Sequence, residues 1–245
     1  MWLNAYVDMS MSEIILNFAE GRKSFTLGDL SEFVRNRESI SDSGILWHIK
    51  RLIKENKLSR LARGVYGEAT KGEFIPTVSE KLVEVYENIV NEFPLIDVCV
   101  YSGIDISSLQ HHISSNNAIY IEVTKEATEA VFHWLIDNGF NAYHRPTEIL
   151  MSEYVNLAEE CTIVKSLVTE SPLMKVDGIQ TATLEKLLVD INTDADFYYL
   201  QGGETFYIME QAQSLYQINQ PKMLRYASRR GVRQKMLDLL NYKEP

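Results

Sequence analysis

Apolar residues recur along this chain in short blocks of helical spacing. Residues 11–20 set Ile14, Ile15 and Phe18 on one side, with Gly21 to end the helix. Residues 27–35 group Leu27, Leu30, Phe33 and Val34 in the same way. After a polar turn, a third helix carries Ile45, Leu46, Ile49, Leu52 and Ile53, the i, i+1, i+4, i+7, i+8 pattern of one buried stripe. Ser43 stands where a residue can cap it, and Asn56 and Lys57 close it. Residues 58–61 and 64–67 then read as two short extended runs, joined where Gly64 is free to take positive φ. Helix, helix, turn, helix and hairpin is the order of a winged helix-turn-helix.

Residues 70–77 contain a glycine and a proline and read as a linker, which puts a domain boundary there. Beyond it, residues 78–92 form an amphipathic helix through Leu82, Val85, Tyr86, Ile89 and Val90, stopped by Pro94. Strands are expected at 95–101 and 118–124, with a short helix or turn at 107–113 between them. Residues 126–139 make a helix with Ala127, Val131, Trp134 and Leu135 inward and Gly139 just past its end. A third strand is expected at 140–143, and further short strands at 148–151 and 161–168. Thr183 can cap a helix at 184–191, residues 197–208 read as helix or loop leading into 209–216, and two helices at 222–230 and 232–242 finish the chain. The expected architecture is therefore a two-domain α+β or α/β protein. It has a winged helix-turn-helix at 1–69, a linker at 70–77, and a mixed α/β C-terminal domain ending in helices at 78–245.

Composition is that of an ordinary soluble chain: 245 residues, 45% hydrophobic and 24% charged. The first residues lack the basic-then-apolar order of a secretion signal. No apolar run approaches the ~18–20 residues of a membrane span. A cytoplasmic protein without a membrane partner is the expectation. The two cysteines, Cys99 and Cys161, lie among apolar neighbours and read as reduced core residues. Charge is uneven on a chain of net −10. Residues 1–67 hold ten basic and eight acidic groups, residues 68–220 seven and twenty-four, and residues 221–245 seven and two. A basic head on an acidic body suggests a DNA reader attached to something else.

The positive charge is densest between Ile45 and Gly67, with six basic residues and one acid. At 100° per residue Trp47, Lys50, Arg51 and Lys54 share the face opposite the apolar stripe, and Arg60 and Arg63 follow at the hairpin. Lys50, Arg51 and Lys54 would contact phosphates or base edges, and Arg60 and Arg63 the flanking phosphates or minor groove. Ser43 and Trp47 would approach bases near the helix start, unless Trp47 packs against the hairpin. The bland alternative is a solvated face on a protein-interaction module. A second basic face is expected on the last helices, where Lys222, Arg225 and Arg229 stand at i, i+3 and i+7 with Arg230 and Arg233 close behind. It could contact nucleic acid or an acidic partner, or simply complement the helix dipole.

Catalytic patterns are weaker. Asp97, Glu122 and Lys125 resemble the acid…acid-x-Lys set of metal-dependent nucleases, but Glu122 and Lys125 are three apart where a strand needs two. His111 and His112 are adjacent and diverge, and His133 and His144 share no ligand spacing with them. Gly202-Gly203 lacks the lysine of a phosphate loop and reads as a turn. No metal, cofactor or active site is expected. A nuclease or nucleotidyltransferase-like C-terminal enzyme stays the alternative.

The segment ILWHIKRLIKENKLSRLARGVYG resembles the N-terminal winged-helix domain of bacterial antitoxins of the AbiEi (abortive infection) type. Leu58, Arg60, Arg63, Gly64, Val65 and Tyr66 carry the most specific part. TLEKLLVDI at 183–191 and LRYASRRGVRQKMLDLL at 224–240 are similar to that family's C-terminal antitoxin domain. The resemblance implies a phage-defence protein encoded beside a nucleotidyltransferase-like toxin. It implies a first domain that represses the operon by binding its own promoter. The second domain would counteract the toxin without a stable complex, as in type IV toxin–antitoxin systems. The acidic stretch 95–170 has no matching segment in that family.

Overall fold

A computed structural model describes residues 10–35, 40–69, 71–107, 109–110 and 115–241. The chain divides into two compact units, residues 1–72 and 73–245. It is a mixed α/β protein with helices and several small sheets.

The first unit opens with helix α1 (Met11–Ala19), started by a capping box. Ser10 Oγ accepts from the Glu13 amide at 3.3 Å, and Glu13 accepts from the Ser10 amide at 2.7 Å. Strand β1 (Phe25–Thr26) runs straight into α2 (Leu27–Arg35), and α3 (Asp42–Lys54) follows. Strands β2 (Leu58–Ala62) and β3 (Val65–Glu68) form an antiparallel hairpin, and the sheet order is β1-β3-β2. Ile45, Ile49 and Leu52 of α3 are wholly buried against Ile15, Leu30 and Val34. Each such side chain contributes about 1.5–3 kcal/mol by leaving water. Leu46 and Ile53 only flank this core, so the stripe is narrower than its periodicity suggested. Gly64 turns the hairpin at φ +75°.

Ser41, not Ser43, caps α3: Ser41 Oγ accepts from the Gly44 amide at 3.3 Å, and Ser43 lies inside the first turn. Both are serines, and the chain enters the helix two residues earlier than expected, at Asp42.

In the second unit, α4 (Glu80–Glu92) is capped by Ser79. Next come β4 (Val98–Ser102), α5 (Ile104–Ser107) and β5 (Ile119–Val123). A 3₁₀ turn at Lys125–Ala127 leads into α6 (Thr128–Asp137), and β6 (Ala142–His144), α7 (Glu148–Tyr154) and β7 (Thr162–Ser166) follow. The sheet order is β4-β5-β7-β6, with β4 antiparallel to β5 and the other neighbours parallel. The chain thus crosses from β5 to the edge strand β6 and returns to insert β7 between them.

Side chains on the strands alternate between two cores. Val98, Val100, Ile121 and Val164 pack under α4 and α6 with Leu82, Ile89 and Val131. Cys99, Tyr101, Tyr120 and Ile163 face a larger core. That core is completed by the hairpin β8 (Leu173–Val176) and β9 (Ile179–Ala182), then α8 (Leu184–Asp190), a 3₁₀ segment at Ala195–Leu200, α9 (Gly203–Leu215), α10 (Gln220–Arg229) and α11 (Arg233–Asn241).

Four expectations change. Residues 148–151 begin helix α7 instead of a strand, because Thr147 caps it by accepting from the Leu150 amide at 3.3 Å, and only Met151 of α7 is buried. Residues 173–182, for which no strand is expected, form the β8–β9 hairpin through an Asp177-Gly178 turn with φ +49° and +86°. Thr183 precedes α8 without capping it; its hydroxyl donates to Pro172 O at 3.2 Å. Residues 73–77 belong to the second unit: Phe74 is buried edge-on to Tyr216, and the Thr77 amide donates to Asp105 Oδ1 at 2.8 Å. The 107–113 element falls mostly outside the described residues, as do His111 and His112.

Candidate functional site

On α3 the residues at i, i+3, i+4 and i+7 from Trp47 all face solvent: Trp47 is 59% exposed, and Lys50, Arg51 and Lys54 are exposed beside it. The Trp47 ring stands edge-on to His48, 4.8 Å between centroids. Ser43 is exposed at the start of the same helix. Arg51 pairs with Glu55 at 2.6 Å, and Lys57 reaches the same carboxylate at 3.1 Å. Lys50, Lys54 and Arg63 make no hydrogen bond or ion pair among the described residues, and Arg60 donates only to Ala62 O at 3.4 Å. The β2 strand is irregular between Arg60 and Ala62, which brings Arg60, Leu61 and Arg63 to the exposed end of the hairpin.

The second unit holds a cluster that the sequence did not announce. Strand alternation puts Tyr101, Glu122 and Lys165 on the face of the sheet covered by α8 and α10. From α8, the wholly buried Lys186 donates to Glu122 Oε1 at 2.6 Å and to Asp190 one turn further on. Tyr101 OH donates to the same Glu122 oxygen at 3.1 Å, and Tyr226 OH on α10 donates to Asp190 Oδ1 at 2.8 Å. Lys165 donates to Asp194 at 2.6 Å and to Asp196 at 2.7 Å, and lies 5.1–5.8 Å over the Tyr101, Tyr120 and Phe197 rings. Arg230 donates to Thr193 Oγ1 at 2.6 Å and to Asp194.

Four carboxylates thus meet three cations in a water-poor interior. Burial works against the charged form of Lys165 and Lys186, but the carboxylates around them outweigh it and raise both ammonium pKa values. Burial pushes the other way on Asp194, yet Lys165 and Arg230 hold its carboxyl down at about 2. Asp190 and Asp196 are raised, because burial there exceeds the pull of their lysines. Glu122, Asp190 and Asp194 bring carboxylate oxygens within 4.8 Å of one another, a spacing compatible with a cation. Lysine and arginine side chains already fill that role and pair every carboxylate of the cluster, which reads as a structural tie between sheet and helices.

The nuclease triad does not assemble. Asp97 and Lys125 line one open cleft, whereas Glu122 is turned into the buried cluster. His144 stacks on Phe132, and His133 sits near Glu129 at 3.9 Å. Burial raises the thiol of Cys161 to about 11 and that of Cys99 further, so neither is a ready nucleophile.

The second basic face also comes apart. Arg230 points inward to Asp194 and Thr193, because α10 packs that side against α8. Arg229 pairs with Glu170. Lys222 is half-buried, which leaves Arg225, Arg229 and Arg233 exposed, and of these Arg229 is engaged by Glu170. The sequence signal that could have found the cluster is Lys186 and Asp190 at i, i+4 within the otherwise apolar TLEKLLVDI.

Fold and site define a two-unit mixed α/β protein, with an exposed cationic helix-and-hairpin face in the first unit and a buried charge cluster in the second. The chain belongs to a family of unknown function, DUF6577, whose family model matches residues 44–244. No curated protein matches it. The matched region takes in most of α3, the β2–β3 hairpin and the charge cluster. Among the described residues, no helix is long and apolar enough to cross a membrane.

Proposed function

We propose that the protein is a DNA-binding transcriptional regulator whose first unit is a winged helix-turn-helix. The observation that carries this reading is the shared exposure of Trp47, Lys50, Arg51 and Lys54 on α3, continued by Arg60 and Arg63 on the hairpin. The apolar side of α3 is spent on its own core, so this face is free to enter a major groove. Lys50 and Lys54 would neutralise phosphates, Trp47 and Ser43 would meet bases near the helix start, and the two hairpin arginines would hold the adjoining backbone or minor groove. Arg51 would join them by exchanging Glu55 for phosphate.

The resemblance of the α3–hairpin segment, of 183–191 and of 224–240 to AbiEi-type proteins supports a narrower version. In it the DNA is the protein's own promoter, and the second unit acts as a type IV antitoxin against a nucleotidyltransferase-like toxin without binding it stably.

The test is binding of the full chain to its own upstream DNA and to scrambled DNA across a salt series. Tighter binding to the upstream sequence, with affinity falling steeply as salt rises, is the expected result. Equal and weak binding to both would sink the reading and leave the α3 face as a protein contact. For the antitoxin role, growth rescue on co-expression with the neighbouring toxin is expected without co-purification of the pair.

A further inference from the structure

A cleft of about 350 Å³ opens at the carboxyl ends of β6 and β7. The two strands are parallel, so the cleft lies outside the carboxyl edge of the sheet, the side on which open α/β sheets bind ligands. Arg145, directly after β6, lies on its wall. Its backbone takes φ +44°, which L side chains rarely adopt, and is held there by its amide donating to Val164 O at 2.9 Å and by the buried Pro146. The Arg145 guanidinium is exposed and makes no hydrogen bond or ion pair among the described residues. Lys165 and Arg230 line the same cleft, both pinned by Asp194. With Asp196, the wall carries three cations and two carboxylates, and Ser166 adds a hydroxyl at the end of β7.

We propose that this cleft binds a small hydroxylated molecule carrying one phosphate group, with Arg145 as the phosphate's charge partner. A guanidinium matches phosphate oxygens two at a time, and this one has no competing carboxylate bonded to it. Ser166 donates a hydrogen bond to the phosphate; Lys165 and Arg230 behind it are compensated by their carboxylates, so Arg145 supplies the charge. Asp194 and Asp196 line the wall as acceptors for hydroxyls and repel a second anionic group. Those two carboxylates favour a phosphomonoester over a polyanion such as nucleic acid. The volume suits a sugar phosphate. The site lies wholly in the second unit and is independent of the DNA-binding reading.

Calorimetric titration of the full chain at constant ionic strength tests this, with ribose 5-phosphate, inorganic phosphate and ribose as probes. Saturable one-to-one binding of ribose 5-phosphate and none of ribose is expected. Arg145→Gln should raise its Kd at least tenfold with an unchanged melting temperature, and Ser166→Ala should raise it about threefold. Tighter binding of ribose 5-phosphate than of inorganic phosphate would support hydroxyl recognition by Asp194 and Asp196. No saturable binding of either phosphate, or the same Kd in Arg145→Gln, would overturn the proposal.

Discussion

Glu122 on β5 and Lys165 on β7 are cross-strand neighbours whose charged groups stand 3.8 Å apart, and Lys186 reaches the same Glu122 oxygen from α8 at 2.6 Å. One carboxylate thus joins the sheet to the helical layer. In so dry a setting, partnership is worth more than charge itself: a lone buried ion is costly, and a complete network is close to neutral.

Lys186→Met should therefore destabilise strongly, by about 3–5 kcal/mol, because Glu122 and Asp190 lose their shared ammonium. Adding Glu122→Gln to Lys186→Met should restore part of that loss, since one uncompensated charge disappears. Urea unfolding of the single and double variants measures both; equal midpoints for wild type and Lys186→Met would remove the tie between sheet and helices.

Asp105 gives a pH dependence of defined sign. Burial raises its folded pKa to about 6, against a smaller downward pull from the Thr77 hydrogen bond. A carboxyl raised from 3.8 makes the fold more stable below about pH 4 and less stable as pH rises through 6. Asp105→Asn should remove up to about 3 kcal/mol of that decline, seen as a flatter curve of stability against pH between 4 and 7. Asp194, held at about 2, has the opposite sign: its contribution is present above pH 4 and fades as pH falls through 2.

On the cationic face, Lys50→Ala combined with Arg63→Ala should weaken DNA binding at least about tenfold at moderate salt. Each lost phosphate contact should lower the salt slope by roughly one. Neither side chain packs in the core, so the melting temperature should not move. Unchanged affinity and slope would exclude this surface as the DNA contact.

Gly103 lies where a Cβ would collide with the Asn116 side chain, which is buried and donates to Tyr120 OH at 2.9 Å and Tyr199 OH at 2.7 Å. Gly103→Ala should cost about 1–3 kcal/mol through displacement of that amide. Thermal unfolding would report it, and a neutral outcome would mean that the Asn116 pocket yields without loss.

Much of the architecture was legible because local rules decide it. The stripe Ile45, Ile49, Leu52 announces α3, and the alternation of residues 119–123 announces β5. Gly64 marks the hairpin turn. The basic face of α3 was readable for the same reason: a helix with one apolar stripe leaves its other side to water.

Charges inside the second unit were not readable in this way. Arg230 sits in a run of basic residues and looks like surface, yet it faces Asp194, thirty-six positions earlier in the chain. Spacing sets Glu122 and Lys125 on opposite faces of the strand but does not say what Glu122 meets; the fold pairs it with Lys165 and Lys186. Spacing along one element reports which side a residue takes. It carries no information on what a distant segment brings to that side. The sequence by itself determined most helices, most strands and the exposed cationic face. Only the tertiary structure decided which buried charges neutralise one another, because Coulomb energy depends on distance in space and on the dielectric that packing creates.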